Sequence, residues 1–241
     1  MVKCPGQDQR FWKPEDIFET KCPDCGGSVE FFKDEPRLKC RHCGKEVANP
    51  RIDLGCAEWC PYGAQCLGIT PEGQANIMRD RLIDEMKNVF DGDDRRIKHA
   101  LAVLKYAEQI CKNQGADPLI VTAAAILHDI GIHEAQRKHG SSAGRFQEIE
   151  GPPIAEEILK KNGLAATAIE HICKIIANHH SARDIDTPEF RCIWDADWLV
   201  NMPEVTQGKS KEDFKKTIEK TFKTAKGLDM ARSLFINDEE S

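Results

Sequence analysis

The feature that most constrains this chain is the placement of its cysteines, because eight of the eleven lie before residue 67. The same stretch has only short apolar segments, such as residues 29–32, so it cannot bury much of a core and must be held together by cross-links. Its first residues lack the apolar run and cleavage site of a secretory signal. We therefore expect a cytoplasmic protein whose paired cysteines bind metal rather than form disulfides.

Two matched cysteine pairs, Cys22-Pro-Asp-Cys25 and Cys40-Arg-His-Cys43, are each followed by a glycine that allows a tight turn. Together they supply the four thiolates of a closed tetrahedral metal site. The spacing resembles that of zinc ribbons, and this resemblance implies a structural zinc ion with no open position for catalysis.

Four further cysteines could form a second site: Cys4, Cys56, Cys60 and Cys66. Thiolates suit either a second zinc ion or an iron–sulfur cluster, and the spacing does not distinguish these two. Free thiols are the third interpretation.

The pattern of residue types changes near residue 70, where Thr70-Pro71 gives a helix-start signal. Beyond it, apolar residues recur at helical spacing, as at Ile97, Leu101 and Leu104. We predict a mainly α fold with an all-helical domain over residues 70–241, preceded by a small metal-stapled module over residues 1–69. The polar stretch from residue 132 to residue 150 is expected to be a long loop with a functional role.

The motif that indicates the chemistry is His128-Asp129, which follows the apolar segment 123–127 and is therefore expected at the end of a buried helix. Its companions along the chain are His99, His179-His180 and Asp197. Asp197 lies in an apolar segment, where a carboxylate is costly to bury without a cation nearby. Histidine and carboxylate side chains in this order predict a metal centre.

This order of residues resembles the HD superfamily of metal-dependent phosphohydrolases, over about residues 94–200. The resemblance implies an all-helical HD-type domain behind the zinc-ribbon-like module. It also implies a set of metal ligands, namely His99, His128, Asp129 and Asp197, with His179 or His180 added in two-metal members.

One position departs from the family pattern, because Glu150 stands where the two-metal members have another histidine. A carboxylate also ligates divalent metals, so Glu150 is a candidate ligand. The HD site is expected to hold one or two ions drawn from Fe, Mn, Mg, Ni and Zn.

The resemblance implies hydrolysis of a phosphate ester, with a nucleotide-like substrate, by a metal-activated water. Asp129 would bind metal and orient that water. Arg96 lies close to one helical turn before His99 and is a candidate phosphate clamp, and His133 follows the His-Asp motif closely enough to touch the substrate. A solvated surface position is the alternative for Arg96, and the role of His133 stays open.

The partners expected for this chain follow from its charge and composition. The net charge of −6 gives no general attraction to nucleic acid, and no apolar run is long enough to cross a membrane. We expect a small phosphorylated substrate, while a protein partner of the cysteine module and the oligomeric state stay open. Two alternative functions also stay open: a di-iron oxygenase of the HD type acting on a small molecule, and a non-catalytic nucleotide sensor or adaptor.

Overall fold

The computed structural model describes Arg10 and residues 12–51, 71–112, 114–205 and 210–236. The chain divides into two compact units, Met1–Arg81 and Leu82–Ser241. The predicted boundary between the cysteine module and the helical domain, between residues 69 and 70, stays a prediction. Cys4, Cys56, Cys60 and Cys66 lie outside the described residues.

The first unit contains two antiparallel hairpins, and each has a cysteine pair in its turn. The hairpins are formed by β1 (Ile17–Lys21) with β2 (Ser28–Phe32), and by β3 (Arg37–Lys39) with β4 (Glu46–Ala48). Their registers pair Ile17 with Phe32 and Arg37 with Ala48. A short 3₁₀ helix, Pro14–Asp16, precedes β1.

The hairpins share a small core, in which the two cysteines Cys22 and Cys40 are buried together with Val29, Phe31 and Val47. Five buried side chains at about 1.5–3 kcal/mol each are too few to offset the backbone entropy of about 1–2 kcal/mol for every residue that the module orders. The core of the described hairpins is thus consistent with the prediction that cross-links stabilise this module.

The remaining described elements are α-helices, which confirms the mainly α fold class. In chain order they are α1 (Pro71–Phe90), α2 (Asp94–Cys111), α3 (Pro118–Leu127), α4 (Ile132–His139), α5 (Gly144–Lys161), α6 (Ala166–Ile176), α7 (Pro188–Val205), α8 (Lys211–Thr221) and α9 (Ala225–Phe235). No helix within the described ranges has the length and apolar character needed to span a bilayer.

Helix α3 is the centre of the helical unit. It begins sharply because Asp117 accepts the backbone N–H groups of Leu119 and Ile120, and Pro118 occupies the first turn. Its residues from Ala123 to Leu127 are all buried, as expected for a helix that is apolar on every side. Helices α2, α6 and α7 pack against it, so the end of α3 faces three other helices.

The loop expected between residues 132 and 150 is a wrong prediction, because this stretch forms α4 and the first part of α5. The break between these helices is short and follows Gly140, which adopts a left-handed conformation at φ 64°. The polar residues that suggested a loop instead make ion pairs on the helices, such as that between Glu134 and Arg137.

Candidate metal centre

The metal-binding side chains of the helical unit come from the ends or inner faces of four helices. Helix α2 carries His99, and His128 and Asp129 follow the last turn of α3. His179 and His180 follow α6. Helix α7 carries Asp197. The structure thus brings together residues that lie up to 98 positions apart in the sequence.

These residues form two groups in which the potential ligand atoms lie within 4.8 Å of one another. One group contains His99, His128 and Asp197, and the other contains Asp129, His179 and His180. Histidine nitrogens and carboxylate oxygens are ligands that suit Zn, Fe, Mn and Ni. Both His179 and His180 belong to the second group, where the sequence left the choice between them open.

Asp129 links the two groups because its two carboxylate oxygens face opposite ways. Oδ2 lies 3.7 Å from Nε2 of both His99 and His128, and Oδ1 lies 3.4 Å from Nε2 of His179. A carboxylate in this position can contact an ion in either group, or one in each.

Two backbone carbonyls set the tautomer of the buried histidines. His128 Nδ1 lies 2.9 Å from the carbonyl oxygen of Ala125, and His179 Nδ1 lies 2.7 Å from that of Ile176. Because a carbonyl only accepts, the neutral form of each ring carries its proton on Nδ1, and the Nε2 lone pair of that form faces the centre. His179 Nε2 is buried and has no hydrogen-bond partner among the residues that the structure describes, as expected for a ligand atom.

The electrostatics of the centre favour a positive charge. Burial disfavours protonation of His128, yet the carboxylates of Asp129 and Asp197 outweigh it and raise the pKa of this ring to about 9. Burial also opposes ionisation of Asp129 and Asp197, but the neighbouring histidines hold the pKa of both carboxyls below the ordinary value. A proton or a divalent cation can supply the charge that this arrangement favours.

Asn201 is a residue of the centre that the sequence reasoning missed. Its side-chain amide donates to Asp197 Oδ1 over 2.8 Å, which fixes the carboxylate that also contacts His99 Nε2 at 3.0 Å. The spacing of the two residues could have indicated this contact, because Asn201 lies one turn after Asp197 on the same helix. Such partners of ligands orient the ligand and tune metal affinity.

The two predicted substrate contacts, Arg96 and His133, are connected through Asp93, the cap of α2. One oxygen of Asp93 accepts the backbone N–H of Arg96, and the other oxygen lies 3.0 Å from His133 Nε2. The Arg96 guanidinium lies 4.0 Å from Asp129 Oδ2, so it faces the centre. His133 is half-exposed and holds the pKa of Asp93 below the ordinary value. The role of Asp93 was missed, although an Asp just before a helix is a recognised capping signal.

Glu150 lies outside both ligand groups. Its oxygens accept hydrogen bonds from Lys138 at 2.7 Å and from His139 at 2.9 Å, and these bonds hold the pKa of Glu150 below the ordinary value. The structure thus shows this carboxylate paired with Lys138 and His139 of α4, whereas the sequence suggested a metal ligand.

Asp195 of α7 lies outside both ligand groups. It is fully buried and accepts hydrogen bonds from the backbone of Lys223 and Thr224 and from the Thr224 hydroxyl. These bonds tie α7 to the start of α9.

The cysteine cluster of the first unit is closed, as predicted. The Sγ atoms of Cys22 and Cys43 lie 3.7 Å apart and those of Cys25 and Cys40 lie 3.6 Å apart, with all four within 4.8 Å. Backbone N–H groups of Cys43 and His42 lower the pKa of Cys40 to about 6, which favours a thiolate. Four sulfur atoms converging from two turns form a metal-binding cluster of the zinc-ribbon type.

Comparison with protein families agrees with this geometry. Residues 96–202 match the family model of the HD domain, a range that contains both ligand groups. No curated protein and no solved structure shows significant similarity to this chain. Residues 96–202 therefore correspond to an HD domain, which implies a domain of the metal-dependent hydrolase type, and a zinc-ribbon-like cysteine module precedes them in the sequence.

Proposed function

We propose that this protein is a metal-dependent phosphohydrolase that cleaves a small phosphate ester, with a nucleotide-like compound as the substrate. The observation that carries the proposal is the position of Asp129, whose two oxygens face two adjacent groups of metal-binding side chains. Hydrolysis of a phosphate ester by a mono- or dinuclear centre requires this type of donor set at a site that substrate can reach.

The residues present fit a divalent metal. The bonds at Nδ1 direct the Nε2 atoms of His128 and His179 inward, and the buried Nε2 of His179 has no hydrogen-bond partner among the described residues. When bound here, a divalent ion supplies positive charge to phosphate oxygens and lowers the pKa of a water. Fe, Mn, Ni and Zn suit the nitrogen donors, and Mg suits them less well.

The side chains around the centre have separate roles in this proposal. Asp129 accepts a hydrogen bond from the attacking water and so orients it toward phosphorus. Arg96 binds two phosphate oxygens through its planar guanidinium, which delocalises the charge that develops during attack. His133 hydrogen-bonds the ester oxygen that leaves, and Asp93 holds its ring in place.

The cysteine cluster is proposed to hold a structural zinc ion. Its four sulfur donors from Cys22, Cys25, Cys40 and Cys43 leave no position for water or substrate. The module therefore contributes stability to the chain and takes no part in the hydrolysis.

The proposal is tested by elemental analysis and by hydrolysis assays on the wild type, on Asp129→Ala and on the control Asp186→Ala. Asp186 is an exposed carboxylate paired with Arg191, so its loss should change neither metal content nor activity. We expect Asp129→Ala to keep the zinc of the cysteine cluster, to lose the metal of the HD site, and to release no phosphate from nucleotides or sugar phosphates.

Other outcomes would point to the alternative functions. An unchanged metal content in Asp129→Ala would contradict the proposed metal centre. Two irons with a mixed-valence spectrum and substrate-dependent oxygen uptake, without phosphate release, would indicate an oxygenase. Nucleotide binding without turnover by the metal-loaded wild type would indicate a sensor.

A further inference from the structure

The segment after α6, which carries both His179 and His180, is held by a side chain from another helix. Glu148 of α5 accepts the backbone N–H of His180 at 3.1 Å and that of Ser181 at 2.8 Å, both through Oε1. Neither N–H has a backbone acceptor among the described hydrogen bonds, so the Glu148 carboxylate supplies the acceptor for both. The half-buried carboxylate of Glu148 thus fixes the direction in which the chain leaves α6.

Helix α5 also fixes the ring of His180. A Cβ atom at Gly144 would lie 2.6 Å from His180 Cδ2 and 2.7 Å from Cγ, so the imidazole rests directly on the glycine backbone. The other side of the ring contacts His179, with the ring centroids 3.9 Å apart. Gly144 and Glu148 lie one turn apart on α5, so a single helix face positions both the backbone and the ring of His180.

His179 and His180 therefore differ in what orients them. His179 is fixed locally, because its Nδ1 bonds the carbonyl of Ile176 within the same segment. For His180 the described residues provide no corresponding side-chain bond, and its orientation depends on α5.

We infer that Glu148 is a positioning residue for His180 and thereby sets the affinity of the second ligand group, Asp129, His179 and His180, for its metal ion. The inference rests on the proposed function. The group that contains His99, His128 and Asp197 has no contact with Glu148 among the described bonds, so its affinity should not depend on this residue. Removing a partner of a metal ligand typically weakens binding 10–100-fold.

The test is a titration of the full-length protein with Mn²⁺ after the HD site has been stripped and the zinc content of the cysteine cluster verified. Free Mn²⁺ is measured by electron paramagnetic resonance for the wild type, Glu148→Ala, Glu148→Gln and the control Glu157→Ala. Glu157 is an exposed carboxylate on the same helix. We expect two binding steps in the wild type and in Glu157→Ala.

The variants at Glu148 should change the second step alone. In Glu148→Ala we expect about 10–100-fold weaker binding there, with the first step within about threefold of wild type. Glu148→Gln keeps an oxygen that accepts backbone N–H groups. Its Mn²⁺ affinity at the second step should therefore lie between that of the wild type and that of Glu148→Ala.

Four results would overturn the inference. Wild-type affinities in Glu148→Ala would show that Glu148 does not control the second group. Equal weakening of both steps, with a lowered melting temperature, would show a general structural role. A wild type that binds a single Mn²⁺ would leave no second ion to control, although a mononuclear phosphohydrolase would still stand; a wild type that binds none would contradict the proposed function as well.

Discussion

The link between α7 and α9 through Asp195 gives a prediction whose size can be worked out from the structure. Asp195 is 0% exposed, and its oxygens accept the N–H of Lys223 at 2.7 Å, the N–H of Thr224 at 2.8 Å and the Thr224 hydroxyl at 2.7 Å. The Thr224 hydroxyl in turn accepts the N–H of Gly227, which caps α9. Replacing Asp195 by alanine removes the acceptor on which this cap depends.

The expected loss of stability follows from opposing effects. A hydrogen bond to a charged group contributes about 1.5–3 kcal/mol, and a buried donor left without a partner costs about 1–3 kcal/mol. Burial, however, raises the pKa of Asp195, which shows that desolvation of the carboxylate cancels part of the gain. We therefore expect Asp195→Ala to lower the free energy of unfolding by about 3 kcal/mol, well below the sum of three bonds. Asp195→Asn keeps one acceptor oxygen and should lower it by about 1 kcal/mol.

The assay is thermal and urea unfolding of the full-length protein, monitored by the fluorescence of the tryptophans of α7. Trp194 is suitable because its indole N–H donates to Thr221 near the same junction. A loss of 3 kcal/mol corresponds to a fall in melting temperature of about 6–12 °C for a unit of this size. The control Asp186→Ala removes an exposed ion pair and should cost about 0.2–1 kcal/mol. If Asp195→Ala unfolds at the same midpoint as this control, the capping account is wrong.

Three other predictions concern the contacts around the two metal sites. Gly131→Ala should destabilise the protein by about 1–3 kcal/mol in urea unfolding, because the added Cβ would overlap the backbone of α5; wild-type stability would contradict this close approach. The depressed pKa of Glu150 means that its bonds to Lys138 and His139 stabilise the fold above the unfolded pKa and are lost as pH falls through the folded pKa. Glu150→Gln should therefore lower the urea midpoint at pH 7 and have less effect at pH 3, and an equal effect at both would refute this. Cys22→Ser should release the zinc of the cysteine cluster while the HD site keeps its metal, as elemental analysis can check.

The parts of the molecule that could be predicted from the sequence are those in which chemistry is concentrated in short motifs. The paired cysteines and the His128-Asp129 motif have residue types and spacings with few structural interpretations, so the cysteine cluster and both ligand groups could be identified. Helix starts with strong signals, such as Asp117-Pro118, were also predictable because the cap and the proline act locally.

The errors arose where tertiary contacts decide the structure. The stretch from residue 132 to residue 150 is polar because its exposed faces are covered by ion pairs, and polarity alone does not distinguish such helices from a loop. Glu150 pairs with Lys138 across two helices, a contact that no local pattern reveals. Asp195 is buried only because α9 packs against α7, and its acceptor role could not be read from its neighbours in the sequence.

The ends of α3 and α6 explain why this fold suits a cation. The last carbonyl groups of a helix have no partner within it, and they give its C-terminus a partial negative charge. In both helices one of these carbonyls, that of Ala125 or of Ile176, accepts the Nδ1–H of a histidine three residues later. Each contact therefore pairs one of the free carbonyl groups at the helix end, and it also orients the ring of His128 or His179 so that Nε2 faces the centre. Because two C-termini converge there, the backbone favours a metal ion at the position where the side chains supply its ligands.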